Sequence, residues 1–323
     1  MRRVLVLCLL LPSVAVSQPP PMPPPNSAPL NNPWPPVAPG LQPLAPGAAP
    51  VDPGPEILPL ALPEAGWYFD FQNQLLFAKI DGQIGGYVPI GRSFVTPVIL
   101  PNAELDTGAS NQFALGYRFG PDLGALQMSY RSQAARGREL YAPYGGFDGE
   151  VTSRLDSNVV NVSYLAPAWQ LGDGWSANWS VGGRLGTVFF DARALSPYMD
   201  QSSNNFFIGA GPTGSAGIAK QLNPNWSLFA NADYGVLFGR VTQEHRYALT
   251  VANPLFGYNE QRSTRATHQL SVQAGVGYEG PNVRLGGLRV GYQFEEWFNI
   301  GNLGPARADL ITHGIFVQWQ VRF

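Results

Sequence analysis

The chain has 323 residues, a formal charge of -2, 13% charged side chains and 12% aromatic ones. An average soluble domain carries about 25% charge, so this composition speaks against an ordinary water-facing surface. The near-neutral balance leaves no basic footprint for nucleic acid, and the single cysteine, Cys8, excludes a disulfide within the chain.

Residues 1–17 are read as a targeting segment. Arg2 and Arg3 precede the apolar run from Val4 to Leu11, and Ala15, Val16 and Ser17 supply small residues at the cleavage spacing. That is the order of a secretory signal peptide. Cleavage after Ser17 would remove Cys8 as well. No later stretch has the ~18 consecutive apolar residues that a membrane helix requires. Residues 18–65 follow, with eighteen of the chain's 31 prolines. This segment is expected to be a disordered, partly polyproline II linker. It serves either as a spacer or as a ligand for another component of the periplasmic envelope.

From residue 66 to 323 the pattern changes to alternation with period two, the mark of strands with one apolar and one polar face. In WYFDFQNQLLFAK, Trp67, Phe69, Phe71, Leu75 and Phe77 share a face opposite Asp70, Gln72 and Gln74. In NQFALGYRF, Phe113, Leu115, Tyr117 and Phe119 oppose Gln112, Gly116 and Arg118. Leu126, Met128 and Tyr130 then oppose Gln127 and Arg131, and a strand is expected over 156–164. In WSANWSVGGRLGTVFF, Trp175, Trp179, Val181 and Leu185 oppose Ser176, Ser180, Gly182, Arg184 and Gly186. Further strands are expected over 206–220, 226–238, 268–278, 288–298 and 310–323.

That makes ten strands, or twelve if a hairpin lies within 80–110, many long enough to cross a bilayer as tilted strands of ~9–11 residues. The links alternate between short turns and long stretches at 80–110, 133–152, 191–205 and 239–265, with a medium one at 299–307. Tight periplasmic turns on one rim and large external loops on the other are what an up-and-down, all-β, antiparallel transmembrane barrel requires. Aromatic residues gather at both ends of the apolar face, as interfacial girdles do. A soluble barrel would instead turn that aromatic face inward. Strand length, loop asymmetry and the aromatic terminus count against it. The expected location is the cell outer membrane, reached through the periplasm, with outer-membrane lipids against the apolar face.

The last strand carries a further signal. Ile315, Val317, Trp319, Val321 and the terminal Phe323 alternate with mostly polar residues. This resembles the assembly signal of bacterial outer-membrane barrels, which implies the barrel-assembly machinery as a partner. More narrowly, WYFDFQNQLLFAK, LDTGASNQFALGYRFG with the following LGALQMSYRS, and FFIGAGPTGSAGIAKQL resemble the pore-forming family typified by the Legionella major outer membrane protein. That resemblance covers about residues 66–323. It implies a porin-like role and supplies no catalytic residues.

The residues themselves offer little chemistry. Outer-membrane proteases resembling the omptins use an Asp-x-His pair, and none of His245, His268 and His313 has an Asp two residues before it. His268 and His313 fall on the lipid-facing register, with no serine two residues away. No Cys/His or clustered-carboxylate spacing suggests a metal, so no cofactor and no enzymatic activity are expected. The candidate functional residues are those of the inward register: Asp70, Gln72, Arg118, Gln127, Arg131, Arg184, Asp233, Gln273, Arg289, Glu295 and Gln320. They would line a narrow passive channel for small hydrophilic solutes or ions, or they would fill a closed structural or adhesive barrel with functional external loops. The short side chains Ser129, Ser176, Ser180, Gly182 and Gly186 favour the channel. Arg184 would then set the local field, unless Asp233 or Glu295 pairs with it.

Overall fold

The computed structural model describes residues 65–323, apart from 84, 91–93, 100–102, 121, 142–148, 250–254, 281–285 and 302–306. The expected signal peptide and linker lie outside the described residues.

Thirteen strands run in chain order: β1 Gly66–Gln83, β2 Gly85–Ile90, β3 Phe94–Ile99, β4 Gly108–Gly120, β5 Gly124–Tyr141, β6 Gly149–Leu165, β7 Trp169–Gly172, β8 Trp175–Ser196, β9 Met199–Gln221, β10 Trp226–Leu249, β11 Leu255–Glu279, β12 Gly287–Phe298 and β13 Arg307–Arg322. Ten of them close into one antiparallel barrel in the order β1-β4-β5-β6-β8-β9-β10-β11-β12-β13. Closure is completed by β13 on β1, where the backbone amide of Phe323 donates to the carbonyl of Trp67 at 2.9 Å. The short β7 pairs with β8 alone, joined by Asp173 and Gly174 at φ 49° and 75°. Asp-Gly with both residues at positive φ is the two-residue hairpin that matches strand twist. A hairpin does lie within 80–110, but β2 and β3 form a separate two-stranded sheet and add nothing to the barrel count.

The pairing fixes the barrel's geometry. One line of cross-strand partners runs Tyr68, Gly116, Gln127, Ser163, Gly182, Thr213, Gly235, Gln269, Trp297, Leu310 and returns to β1 at Ile80, twelve residues from its start. With ten strands and ordinary strand spacings, that shear gives a tilt of about 40° and a backbone radius of about 10 Å.

The outward face is the apolar one. Trp67, Leu115, Met128, Val181, Ile218, Leu228, Val276, Val290 and Trp319 are all exposed. Aromatic contacts hold the short-turn rim, with Trp67 edge-on to Tyr117 at 5.2 Å, Trp226 against Tyr278 at 5.0 Å and Lys220 over Trp175 at 5.1 Å. Exposed apolar side chains in a continuous band, with every barrel strand paired on both sides, suit lipid and no other solvent.

The external loops differ from expectation. Strands β5 and β6, β8 and β9, and β10 and β11 continue far past the apolar band as paired hairpins; β8 and β9 are separated only by Pro197 and Tyr198. A tilted strand crosses with about 10 residues, whereas β10 has 24 and β11 has 25. The reason lies in the register. Within the band the outward residues of β8 are Trp179, Val181 and Leu185; beyond it the apolar residues Val188, Phe190, Ala192 and Ala194 face inward and are buried, while Arg193 is exposed. Once the outside is water, the polar face belongs outside. The parity of the apolar residues therefore inverts along a continuous strand, which in sequence reads as the end of the strand.

Candidate functional site

The lumen is the candidate site, and it is built in layers. At the mouth on the short-turn rim lie Asp70, Arg118, Gln127, Arg289 and Gln320. The Gln127 amide donates to Asp70 at 3.3 Å, Arg289 lies over the Phe229 ring at 5.3 Å, and Gln320 accepts from Arg322 at 3.1 Å. Arg118 lies within electrostatic reach of Tyr68, Asp70 and Glu279. A shallow recess here is lined by Ser227, Gly277, Glu279, Arg289, Gln318 and Gln320.

Above the mouth a connected polar network crosses the lumen. Its hub is Glu295, which is fully buried. Glu295 takes both guanidinium nitrogens of Arg131 from the far wall, at 2.5 and 2.7 Å. It also accepts from Gln269 at 2.7 Å, from the Trp297 indole at 2.6 Å and from Gln293 at 3.3 Å. Gln269 links this hub to Arg184, whose guanidinium donates to Gln269 and to Asn161 at 2.6 Å each and pairs with Asp233 at 2.7 Å. Thr213 donates to Asp233 at 3.3 Å, and Gln72 and Gln273 each donate to Gln293 at 2.9 Å. These residues come from β1, β5, β6, β8, β9, β10, β11 and β12, so one network ties together eight of the ten barrel strands. Charge-assisted, bidentate contacts of this kind are about twice as strong as neutral hydrogen bonds.

The next layer is apolar. Leu76, Leu155, Phe207, Leu237, Trp297 and Leu310 converge from different walls, each below 2% exposed. Phe207 meets Trp297 edge-on at 6.4 Å. Gly186 has no spare room: a Cβ there would stand 2.9 Å from Trp297 and 3.0 Å from Leu237. The short side chain expected to widen a passage instead admits an indole. Above this plug, in the head outside the membrane band, Val88 and Val98 of the β2–β3 hairpin pack with Val151, Phe190, Ala192, Ala194 and Ala308.

Every candidate lumen residue stands on the inward register. The structure joins Gln72, Arg131, Arg184, Asp233, Gln273 and Glu295 in the network and leaves Asp70, Arg118, Gln127, Arg289 and Gln320 at the mouth. Sequence reasoning missed Asn161, Thr213, Gln293 and Trp297. Gln293 and Trp297 share the parity of Glu295, which was the available signal. It also missed Ser203 and His245, direct cross-strand partners of β9 and β10 in the head. Their side chains meet at 2.9 Å, fully buried. Burial holds the His245 imidazole below its ordinary range, and its Nε2 has no hydrogen-bond partner among the described residues. Among the described residues no group of three His, Cys, Asp or Glu could hold a metal ion.

No protein-family model matches the chain, and no curated protein matches it. Solved structures do. The outer membrane protease OmpT from Escherichia coli is 10% identical, covering 80% of this chain and 97% of that one, with a TM-score of 0.46. The outer membrane protein OprG from Pseudomonas aeruginosa is 10% identical over 80% and 98% of the two chains, with a TM-score of 0.26. The monoaromatic hydrocarbon channel CymD is 7% identical over 81% and 89%, with a TM-score of 0.30. Likenesses this remote carry no activity across. The pairing and the apolar outer band make this chain a closed ten-strand transmembrane barrel of the bacterial outer-membrane type.

Proposed function

We propose that this protein is a sealed outer-membrane barrel that anchors and displays its external hairpin head for contact outside the cell, without catalysis. One observation carries this reading. The lumen is crossed first by the Glu295–Arg131–Arg184 network and then by the plug of Leu76, Leu155, Phe207, Leu237, Trp297 and Leu310. A passage for hydrophilic solutes would have to part both layers. Purified protein in planar bilayers is expected to give no conductance steps above the lipid baseline. Stable unitary steps at neutral pH would overturn the sealed reading.

A second reading is a narrow porin-like passage, as the resemblance to the Legionella family implies. It is favoured by an inward row along one pairing line, Gln74, Ser110, Gln133 and Ser157. Polar atoms of Gln74, Gln133 and Ser157 are buried without a partner among the described residues, and such atoms call for water. If steps do appear, this row is the route, and Gln133→Leu should reduce their size. Arg184, held by Asp233, Asn161 and Gln269, then acts as a structural tie more than as a free selectivity charge.

In either reading Phe323 closes the barrel at the periplasmic rim and presents the terminal strand to assembly machinery. Deleting Phe323 should lower the amount of folded, heat-modifiable protein in the outer membrane. Unchanged levels would sink this role.

A further inference from the structure

Apart from His268 and His313, which bond to Tyr234 and Tyr292 nearer its upper edge, the lipid-facing band has a polar break at mid-height. Asn73 on β1 and Asn111 on β4 are direct cross-strand partners, both point outward, and the Asn73 amide donates to the Asn111 carbonyl at 2.7 Å. The pairing line continues outward through Ser132 on β5 to Asn158 on β6, whose carbonyl accepts from the Tyr130 hydroxyl at 2.8 Å. Asn73 lies about midway up the band, where an unsatisfied amide group costs several kcal/mol in lipid. The internal bond leaves one Asn73 carbonyl and one Asn111 amide unpaired in hydrocarbon.

A second feature flanks the same strand just above the band. On one side of β4, Asp81 on β1 and Asp309 on β13 are direct cross-strand partners. On the other side, Arg136 on β5 and Arg154 on β6 are direct partners as well. All four side chains are on the outward register. Like charges placed directly opposite are destabilising within one barrel. Arg154 is ion-paired with Asp156 at 2.5 Å and Asp309 accepts from the Asn299 amide at 2.6 Å, whereas the Asp81 carboxylate and the Arg136 guanidinium make no side-chain bond among the described residues.

Together these features point to one arrangement. We propose that two copies of this chain associate in the membrane through the β1–β4–β5–β6 face, about a two-fold axis that passes β4 along the membrane normal. Such an axis sets β1 of one copy against β5 of the other, and β13 against β6. Asp81 of each copy then meets Arg136 of its partner, while Asp309 and Arg154, two strands from the axis and already bonded to Asn299 and Asp156, add charge of matching sign further out. The twelve-residue shear, spread over ten strands, brings Asp81 level with Arg136 and Asp309 level with Arg154 to within about two residues of height. At mid-band Asn111 meets its own copy on the axis, and an amide that both donates and accepts is self-complementary there. An isologous interface of this kind is the commonest closed symmetry. The inference is independent of whether the lumen conducts.

Cysteine cross-linking in native membranes tests it, in a Cys8→Ala background that leaves no other thiol. Asn111→Cys should form a disulfide-linked dimer under a membrane-permeant oxidant, and Ala232→Cys on the diametrically opposite β10 should not. Asp81→Arg, an exposed change, should abolish the Asn111→Cys dimer while leaving heat-modifiability intact, and adding Arg136→Asp should restore it. No dimer from Asn111→Cys, equal yields from both cysteines, a cross-link to a different protein, or no restoration by the charge exchange would each overturn the two-fold interface.

Discussion

Two stretches of the same barrel interior solve the same packing problem in opposite ways. Inside the bilayer band the lumen holds Arg131, Arg184, Asp233 and Glu295, and the apolar residues face out. At the top of the band the lumen holds Phe207, Leu237, Trp297 and Leu310 while Phe206, Ile208 and Phe238 still face out, and beyond it, around Phe190 and Ala192, polar residues such as Arg193 take the outer face. The backbone is continuous through both, and β8 passes from one regime to the other between the exposed Leu185 and the buried Val188. The outer solvent decides which face is apolar. The inner filling then follows from what remains. The lower filling depends on geometry, because each buried charge must find its partner. The upper depends on volume, because its contacts are non-directional.

Removing the hub should separate the two regimes most sharply. Glu295→Ala leaves Arg131 buried and uncompensated and should cost about 3–5 kcal/mol, read as a lower urea midpoint for the barrel in vesicles. Arg131→Leu with Glu295→Leu should recover most of that loss, since replacing both partners by apolar groups is often near neutral. If the double variant is as damaged as the single one, the layer is not held by pairing. In the upper layer Leu237→Ala should cost about 2–5 kcal/mol by transfer and cavity terms. It should also raise ion leak through the barrel in liposome flux. A stable variant with an unchanged seal would show that Leu237 is not part of the plug.

The head offers a subtler contrast through pH. Above the ordinary histidine range, about 6.5, both folded and unfolded His245 are neutral and its burial has no pH-dependent cost. Below it the unfolded chain takes the proton first, because burial lowers the folded value. Stability of the head is therefore full above that range and is lost as pH falls. Hydrogen exchange across β9 and β10 beyond the band should accelerate at pH 5, and His245→Gln should remove that dependence. The smallest effect should come from the exposed Arg193–Asp200 pair, whose arginine side chain is 52% exposed. Arg193→Ala should change stability by about 0–1 kcal/mol. A larger loss would mean that the head depends on its surface ion pairs more than on its packed interior.

Much of this architecture was legible in alternation alone. From Trp67 to Phe77, Phe113 to Phe119 and Trp175 to Leu185, a strict two-residue period against lipid leaves one register open, because a one-residue slip would turn Asp70 or Arg184 into hydrocarbon. The same period assigned every candidate lumen residue to the inside and the five residues ending at Phe323 to the outside. The hairpins above the band were not legible, because their apolar parity inverts and the segments 191–205 and 239–265 then read as polar loops. The pairing partners were not legible either. Arg131 and Glu295 lie 164 residues apart, and no local pattern says which wall faces which.

The sequence by itself determined that the chain forms transmembrane strands and which faces meet lipid, because period-two patterning is local and each residue answers to its own solvent. Tertiary structure alone decided the shear of twelve residues around ten strands. That closure sets which side chains meet inside a barrel of about 10 Å backbone radius. It thereby decided that Arg184 is tied to Asp233 rather than free, that Gly186 is filled by Trp297, and that the acidic and basic pairs flank β4 at the same height. These are relations between distant strands, and only closing the barrel creates them.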